Sequence, residues 1–199
     1  MKMTLLLTAL LLGTVLAQAQ TNSTPLKAGD AIPDVTLRTE DDKEVSLRKL
    51  VSEKPTVLIF YRGGWCPFCN RQLQSLAGIE DDLNKAGVQL LAISMDQPAK
   101  LKATPDREKF HYRLLSDSDA TAATAFGIAF KVDDKTVEKY KGYGINLDVA
   151  SGNDHHILPH PAVFIANTNG VIRFAHVNPD YKVRLEPAKV LEAARVAKN

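Results

Sequence analysis

Continuous apolar runs and helical spacings alternate along this chain. Residues 56–61 (Thr-Val-Leu-Ile-Phe-Tyr) form a short β-branched and aromatic run bounded by Pro55, which predicts a buried strand. Beyond Asn70, the positions Leu73, Leu76, Ala77, Glu80 and Leu83 recur at helical spacing and Gly87 supplies a stop, so one helix is expected across them. Residues 88–94 are a second continuous apolar strand. Pro98 and Pro105 limit any helix between Gln97 and Phe110 to about two turns. A short extended segment is expected at 112–115, and Asp119 is placed to cap a helix over 120–126 that Gly127 ends.

The two ends of this core read differently. Upstream, Val35-Thr36-Leu37 and Val45-Ser46-Leu47 flank a polar turn at 40–43, which predicts a small hairpin. Residues 131–160 are polar and weakly periodic, and a short helix plus a loop is expected there. Residues 161–166, the turn Asn167-Thr168-Asn169-Gly170 and residues 171–177 make an antiparallel hairpin. Pro187 starts a last helix with Val190, Leu191, Ala194 and Ala197 on one face. Alternating strands and helices closed by a hairpin and a helix imply an α/β fold, a sheet with helices on both faces.

Composition narrows the class without changing that picture. The chain has 199 residues, 45% hydrophobic and 24% charged, enough for one domain with a core of its own. A net charge of +2 with scattered Lys and Arg gives no nucleic-acid stripe. Met1-Lys2, the Leu-rich run at 4–15 and the small-x-small Ala17-Gln18-Ala19 read as a signal peptide over 1–19, cleaved to leave a domain at 20–199. The apolar run is too short for a transmembrane helix, and no cysteine follows the cleavage site, so no membrane anchor is expected. The expected compartment is exported, periplasmic or extracellular, where a disulfide persists.

The chemistry is concentrated at Arg62-Gly63-Gly64-Trp65-Cys66-Pro67-Phe68-Cys69, between the 56–61 strand and the helix after it. Both cysteines of the protein are here. A thiol at a helix N-terminus faces unpaired backbone N–H groups and the positive end of the dipole, which favour its thiolate. Pro67 suits the first helical turn, where no intrahelical bond is lost. A purely structural bridge across so short a loop would remove little unfolded-state entropy, so the pair reads as redox-active. Zinc would need a second close pair of ligands, and there are no further cysteines. Asp154, His155, His156 and His160, interrupted by Pro159, read as a solvated loop; no metal and no cofactor is implied.

Several stretches together resemble the alkyl hydroperoxide reductase/thiol-specific antioxidant (peroxiredoxin-like) branch of the thioredoxin-fold superfamily. They are Ala28-Gly29-Asp30-Ala31-Ile32-Pro33-Asp34-Val35-Thr36-Leu37, the 57–61 strand, residues 87–96 ending Ile93-Ser94-Met95-Asp96, Leu114-Leu115-Ser116-Asp117, and Val163-Phe164-Ile165 through Gly170-Val171-Ile172-Arg173. The likeness runs from Gly29 to about Val196. It implies a thioredoxin-like fold, a central mixed β-sheet flanked by helices, and thiol-based redox activity. Typical peroxiredoxins carry a proline, three residues, a threonine, two residues and the peroxidatic cysteine. In that register Arg62 stands at the proline, Cys66 at the threonine and Cys69 at the peroxidatic position. Pro161 stands where the family has an arginine that donates to the peroxide. Trp65-Cys66-Pro67-Phe68-Cys69 is instead similar to the thioredoxin active site, and Pro161 to the thioredoxin cis-proline, although Phe60 replaces the buried aspartate of thioredoxins.

Two chemistries stay open on these residues. In disulfide exchange, Cys66 is the exposed attacking thiolate, and Cys69, more buried, resolves the mixed disulfide with a protein substrate. In hydroperoxide reduction, the register puts attack at Cys69, whose sulfenic acid Cys66 then condenses with. Both end in a Cys66–Cys69 disulfide and need an external thioredoxin-like reductant. Arg62, Trp65, Pro67, His160 and Pro161 are the expected substrate-binding or thiolate-tuning residues, with the His160–Pro161 bond cis as in thioredoxins. A non-catalytic binding module using the groove around Trp65 and Pro161 is the remaining alternative.

Overall fold

A computed structural model describes residues 24–197; the leader read at 1–19 lies outside them. Strand β3 (Thr56–Tyr61) is buried at all six positions. It pairs in parallel with β4 (Gln89–Ser94) and antiparallel with β8 (Ala162–Ala166). Around that centre, β1 (Thr36–Thr39), β2 (Glu44–Ser46), β5 (Arg113–Ser116) and β9 (Ile172–Val177) complete a seven-stranded sheet in the order β2-β1-β5-β4-β3-β8-β9. The sheet is mixed, as expected, and both faces are covered.

A period of two along β3 serves both faces at once. Leu58 and Phe60 join a core with Leu47, Leu50 and Val51 of helix α1 (Leu47–Glu53) and with Phe126 and Phe164. Phe60, Phe126 and Phe164 stack mutually, with ring centroids 4.9–6.0 Å apart. Val57, Ile59 and Tyr61 face the second core, with Leu73 and Leu76 of α2 (Pro67–Ala77) and Val190 and Ala194 of α8 (Pro187–Ala197). Each such side chain contributes roughly 1.5–3 kcal/mol when fully buried.

Three local expectations in this part of the chain need correction. The helix after the cysteines is two: α2 ends at Gly78 and α3 (Glu80–Lys85) starts anew after Ile79. Leu73, Leu76 and Leu83 are still buried on one side, so the apolar period survives the break that it would otherwise exclude. Leu47 does not extend the first hairpin, because Ser46 accepts from the Lys49 N–H and caps α1. Between α4 (Pro98–Lys102) and α5 (Thr121–Ala125), the α5 cap comes chiefly from Asp117, whose carboxylate accepts from the Ala122 and Ala123 N–H groups at 2.7 Å each. Asp119 reaches only Thr121.

Residues 131–160 hold more structure than a helix and a loop. They contain α6 (Asp134–Gly142), capped by Asp133, and α7 (Leu147–Ser151), capped by Asn146. A two-stranded ribbon, β6 (Ala129–Lys131) with β7 (Ile157–Pro159), brings the segment back to the main sheet. That ribbon also explains why the His160–Pro161 bond is trans, contrary to expectation: no cis peptide occurs among the described residues. The His160 N–H donates to the Ile128 carbonyl and the Pro161 carbonyl accepts from the Asn178 N–H. The chain therefore runs extended from β7 into β8, with no tight turn for a cis bond to make.

Candidate active site

The end of β3 delivers Arg62, Gly63 and Gly64 to the start of α2. Cys66 is the N-cap of α2 and Pro67 its first helical residue, with no side-chain cap bond, so the helix end is left to the thiols. The turn is closed by the Cys66 N–H donating to the Gly63 carbonyl at 3.1 Å. The Cys66 carbonyl in turn accepts from the Cys69 and Asn70 N–H groups, at 3.0 Å each. Asp96, just past β4, accepts from the Gly64 N–H at 2.6 Å, and the Asn70 amide donates to the Gly64 carbonyl at 2.8 Å. The turn is thus held from the sheet below and from the helix above.

Both cysteines are free thiols, and both are buried, Cys66 to 2% exposure and Cys69 to none. The expectation of an openly exposed Cys66 is corrected by this: it joins the core behind α2, a core against which Trp65 also packs. The two sulfurs nonetheless differ. A hydrogen bond from the Cys69 thiol pulls Cys66 down to about 6; burial opposes this, while the Cys69 N–H and the charges of Arg62 and Arg184 assist. Burial pushes Cys69 well above the ordinary thiol range, and its bond to the Cys66 sulfur pushes the same way. One proton is shared by the pair, and it rests on Cys69.

Two arginines lie close to the pair. Arg62, only 3% exposed, is flanked by the rings of Trp65, Tyr140 and Tyr181 at 5.0, 5.3 and 4.4 Å, and its Nη2 donates to the Tyr140 hydroxyl. Arg184, on the segment between β9 and α8, donates through Nη2 to Cys69 Sγ at 3.4 Å. No motif pointed to Arg184; it lies 115 residues from Cys69 in a stretch without periodicity. It supplies a guanidinium at the thiols although Pro161 replaces the family's arginine.

Asp96 was equally hidden. A buried carboxylate absent from β3 is found just past the end of β4, and burial raises it to about 6 against the hydrogen bonds from Gly64 and Ser94. Of the remaining expected residues, Trp65 stacks near Tyr140 at 5.9 Å. His160 and Pro161 come to the same cavity wall as Arg62, Tyr140 and Tyr181. His160 stacks on Phe130 at 4.5 Å, and burial lowers its pKa, so it faces the site uncharged at neutral pH. His155 and His156 turn elsewhere, to the Ser118 carbonyl and the Asp148 carboxylate.

Comparison with known proteins follows the same lines. A family model described as AhpC/TSA matches residues 28–175. The chain is 36% identical over 104 residues to Peroxiredoxin Bcp of Escherichia coli K12, covering 52% of this chain and 66% of that protein. It is 28% identical over 150 residues to the chloroplastic Peroxiredoxin Q of Suaeda salsa, covering 75% of this chain and 59% of that one. The matches thus span just under two thirds of these curated relatives. In fold, the crystal structure of Peroxidoxin BcpB from Mycobacterium tuberculosis superposes with a TM-score of 0.68 at 20% identity, over 87% of this chain and 99% of that one.

Proposed function

This chain belongs to the AhpC/TSA family, and from that premise we propose that it is a thiol-dependent peroxidase reducing hydroperoxides through Cys66 and Cys69. The observation that carries the reading is the Cys66 thiol, lowered to about 6 by the hydrogen bond from Cys69 and buried to 2% exposure. A sulfur at 2% exposure is less open to a folded protein's disulfide than to a slender O–O group, so disulfide exchange is the weaker reading.

The Cys66 thiolate attacks one oxygen of R–O–O–H. A sulfur–oxygen bond forms, the O–O bond breaks, the sulfur is oxidised by two electrons, and the alkoxide leaves and takes up a proton. The guanidinium N–H groups of Arg62 and Arg184 supply positive charge where oxygen becomes negative. The Cys69 thiol then condenses with the Cys66 sulfenic acid, forming the Cys66–Cys69 disulfide and releasing water. An external thioredoxin-like dithiol reduces that disulfide and is itself oxidised. The cycle uses no metal or organic cofactor.

A second assignment has one observation in its favour: Arg184 donates to Cys69, the residue in the family's peroxidatic register. Arg184→Met distinguishes the two. With attack at Cys66, Arg184 acts only through its charge, and the single-turnover rate with peroxide near neutral pH should fall by about tenfold or less. With attack at Cys69, a direct donor is lost, and a fall on the order of 10²–10³ is expected.

The exported location is proposed on the leader pattern alone, Lys2, the run at 4–15 and Ala17-Gln18-Ala19. Among the described residues no helix is long and apolar enough to cross a membrane. N-terminal sequencing of the protein recovered from its own cells should begin at Gln20, and an intact Met1 in the cytoplasmic fraction would overturn the proposal.

A further inference from the structure

Asp96 is a buried carboxylate at the thiol turn. It is 2% exposed and stands just past β4. Its Oδ2 accepts from the Gly64 N–H at 2.6 Å, and its own backbone N–H donates to Ser94 Oγ at 3.2 Å. Its Oδ1 lies 2.7 Å from where a Cβ on Gly63 would stand. Both oxygens therefore rest on the Gly63–Gly64 turn that leads into Cys66. No cation forms an ion pair with either oxygen among the described residues.

The charges of the turn balance only with Asp96 counted. Arg62 and Arg184 act on the Cys66 thiolate, and that thiolate and the Asp96 carboxylate repel one another. Two guanidiniums thus face two anions while the cysteines are reduced. Few other groups face Asp96. On β3 and β4, Tyr61 and Ser94 are uncharged, the Tyr61 hydroxyl keeping its proton because burial opposes the phenolate. Lys100 of α4 is exposed and adds a positive charge from the surface. Asp96 and Lys100 are the only charged residues lining a cavity of about 300 Å³, which Gly64, Trp65, Ile145 and Asn146 also wall. Through it a carboxylate only 2% exposed exchanges protons with solvent.

We propose that Asp96 is a positioning residue for the reaction at Cys66: it fixes the thiol turn through Gly64, and its negative charge drives the neighbouring sulfur toward its uncharged, oxidised states. The inference rests on attack at Cys66 and adds the group that opposes the charge there. When the thiolate attacks R–O–O–H, a sulfur–oxygen bond forms, the O–O bond breaks, two electrons pass from sulfur to oxygen, and the leaving alkoxide takes a proton from solvent. The sulfur carries one negative charge before the step and none in the Cys66–Cys69 disulfide that follows. Repulsion from the carboxylate is therefore present before oxidation and absent after it. Burial raises Asp96 to about 6, so its charge is in place at neutral pH and is lost as pH falls through 6. The coupling is reciprocal: whatever the thiolate does to Asp96, the carboxylate does equally to the thiolate. The hydrogen bond from Cys69 outweighs that repulsion, and Cys66 stays a thiolate at neutral pH.

Asp96→Asn keeps an oxygen for the Gly64 N–H and removes the charge. In a thiol–disulfide redox buffer at about pH 8, its Cys66–Cys69 disulfide should be about threefold easier to reduce than that of the unmodified protein, equivalent to about half a pKa unit of coupling. At about pH 5 Asp96 is largely protonated, and the two proteins should agree. A difference of the same size at both pH values marks a structural effect and overturns the electrostatic role. No difference at the higher pH, or a disulfide that is harder to reduce there, overturns it as well. Trp65, the only tryptophan, reports whether the substitution disturbs the turn. If its emission shifts, the unmodified protein decides. There the carboxyl-carbon NMR signal of Asp96 should titrate at a lower pH in the disulfide form than in the reduced form, and equal midpoints overturn the coupling. No hydroperoxide enters these measurements, so failure to reduce hydroperoxides would overturn the peroxidase reading separately.

Discussion

Replacing Cys66 with serine should stop peroxide turnover, with a loss on the order of 10³ or more, because the alcohol has no thiolate to offer and Cys69 does not replace it. Cys69 is fully buried and its proton is held by burial and by the neighbouring sulfur. In Cys66→Ser the second influence disappears and the first stays, so Cys69 should remain inert to iodoacetamide near neutral pH. Cys69→Ser should behave differently. It should complete one attack, accumulate a Cys66 sulfenic acid that a dimedone label traps, and then stall for lack of a resolving thiol. Should Cys66→Ser instead form a sulfenic acid at Cys69 faster than free cysteine does, the assignment is reversed.

The pH dependence of the intact protein checks the same assignment. A thiol lowered to about 6 is fully thiolate above that value and loses it as pH falls through 6. The alkylation rate of the reduced protein should therefore be flat from about pH 7 upward, drop about fivefold between pH 6 and pH 5 and about tenfold per unit below that, where free cysteine, with its pKa near 8.5, is already protonated. In Cys69→Ser the midpoint should shift, because the hydrogen bond from the Cys69 thiol is the largest influence lowering Cys66. A hydroxyl at 69 still donates to the Cys66 sulfur, whereas Cys69→Ala donates nothing and should raise the midpoint. A midpoint above 8 in the unmodified protein would place the reactive charge elsewhere.

The sheet was legible because its strands are buried on both faces, and a continuous apolar run such as residues 56–61 leaves no other reading. The hairpin of β8 and β9 and the helix from Pro187 were equally plain, from turn residues and a single apolar face. Where the pattern misled, the deciding interaction was not periodic. The break at Gly78 is invisible to an apolar spacing that continues through it. The caps at Asp133 and Asn146 were there to be read, but the short helices they begin bury only Val137, Leu147 and Ser151, too few positions to make a period. The Cys66-Pro67-Phe68-Cys69 motif located the thiols. Their inequality depends on burial and on the hydrogen bond between the two sulfurs, Asp96 reaches the turn across a strand, and all three are products of the tertiary fold. The cis-proline expectation failed for a related reason, since it was carried over from thioredoxins while the β6–β7 ribbon, which sets the path into β8, was read as loop.

Gly63→Ala should be the most damaging change outside the cysteines themselves. A Cβ at this position would lie 2.3 Å from Trp65 Nε1 and 2.7 Å from Asp96 Oδ1, contacts that no packed side chain tolerates. The backbone there cannot retreat, because the Gly63 carbonyl accepts from the Cys66 N–H and the neighbouring Gly64 N–H is fixed on Asp96. Trp65 or Asp96 must give way instead. If Trp65 moves, the ring leaves its place beside Arg62 and Tyr140, next to the thiol turn. If Asp96 moves, the anchor of the Gly64 turn is lost with it. Overpacking of this kind costs about 1–3 kcal/mol in stability. Displacement of reacting groups by about an ångström lowers rates by about 10²-fold. A urea melt should accordingly show a lower midpoint with an unchanged slope, Trp65 emission in the native state should shift, and the single-turnover rate with peroxide should fall by about two orders of magnitude. Gly78→Ala is the control within the same segment. Its added Cβ meets only the Ser75 carbonyl, at 3.3 Å, and should leave the rate unaltered. An alanine at 63 that kept Trp65 emission and turnover intact would show that the close approach of Gly63, Trp65 and Asp96 does not hold the thiol turn in place.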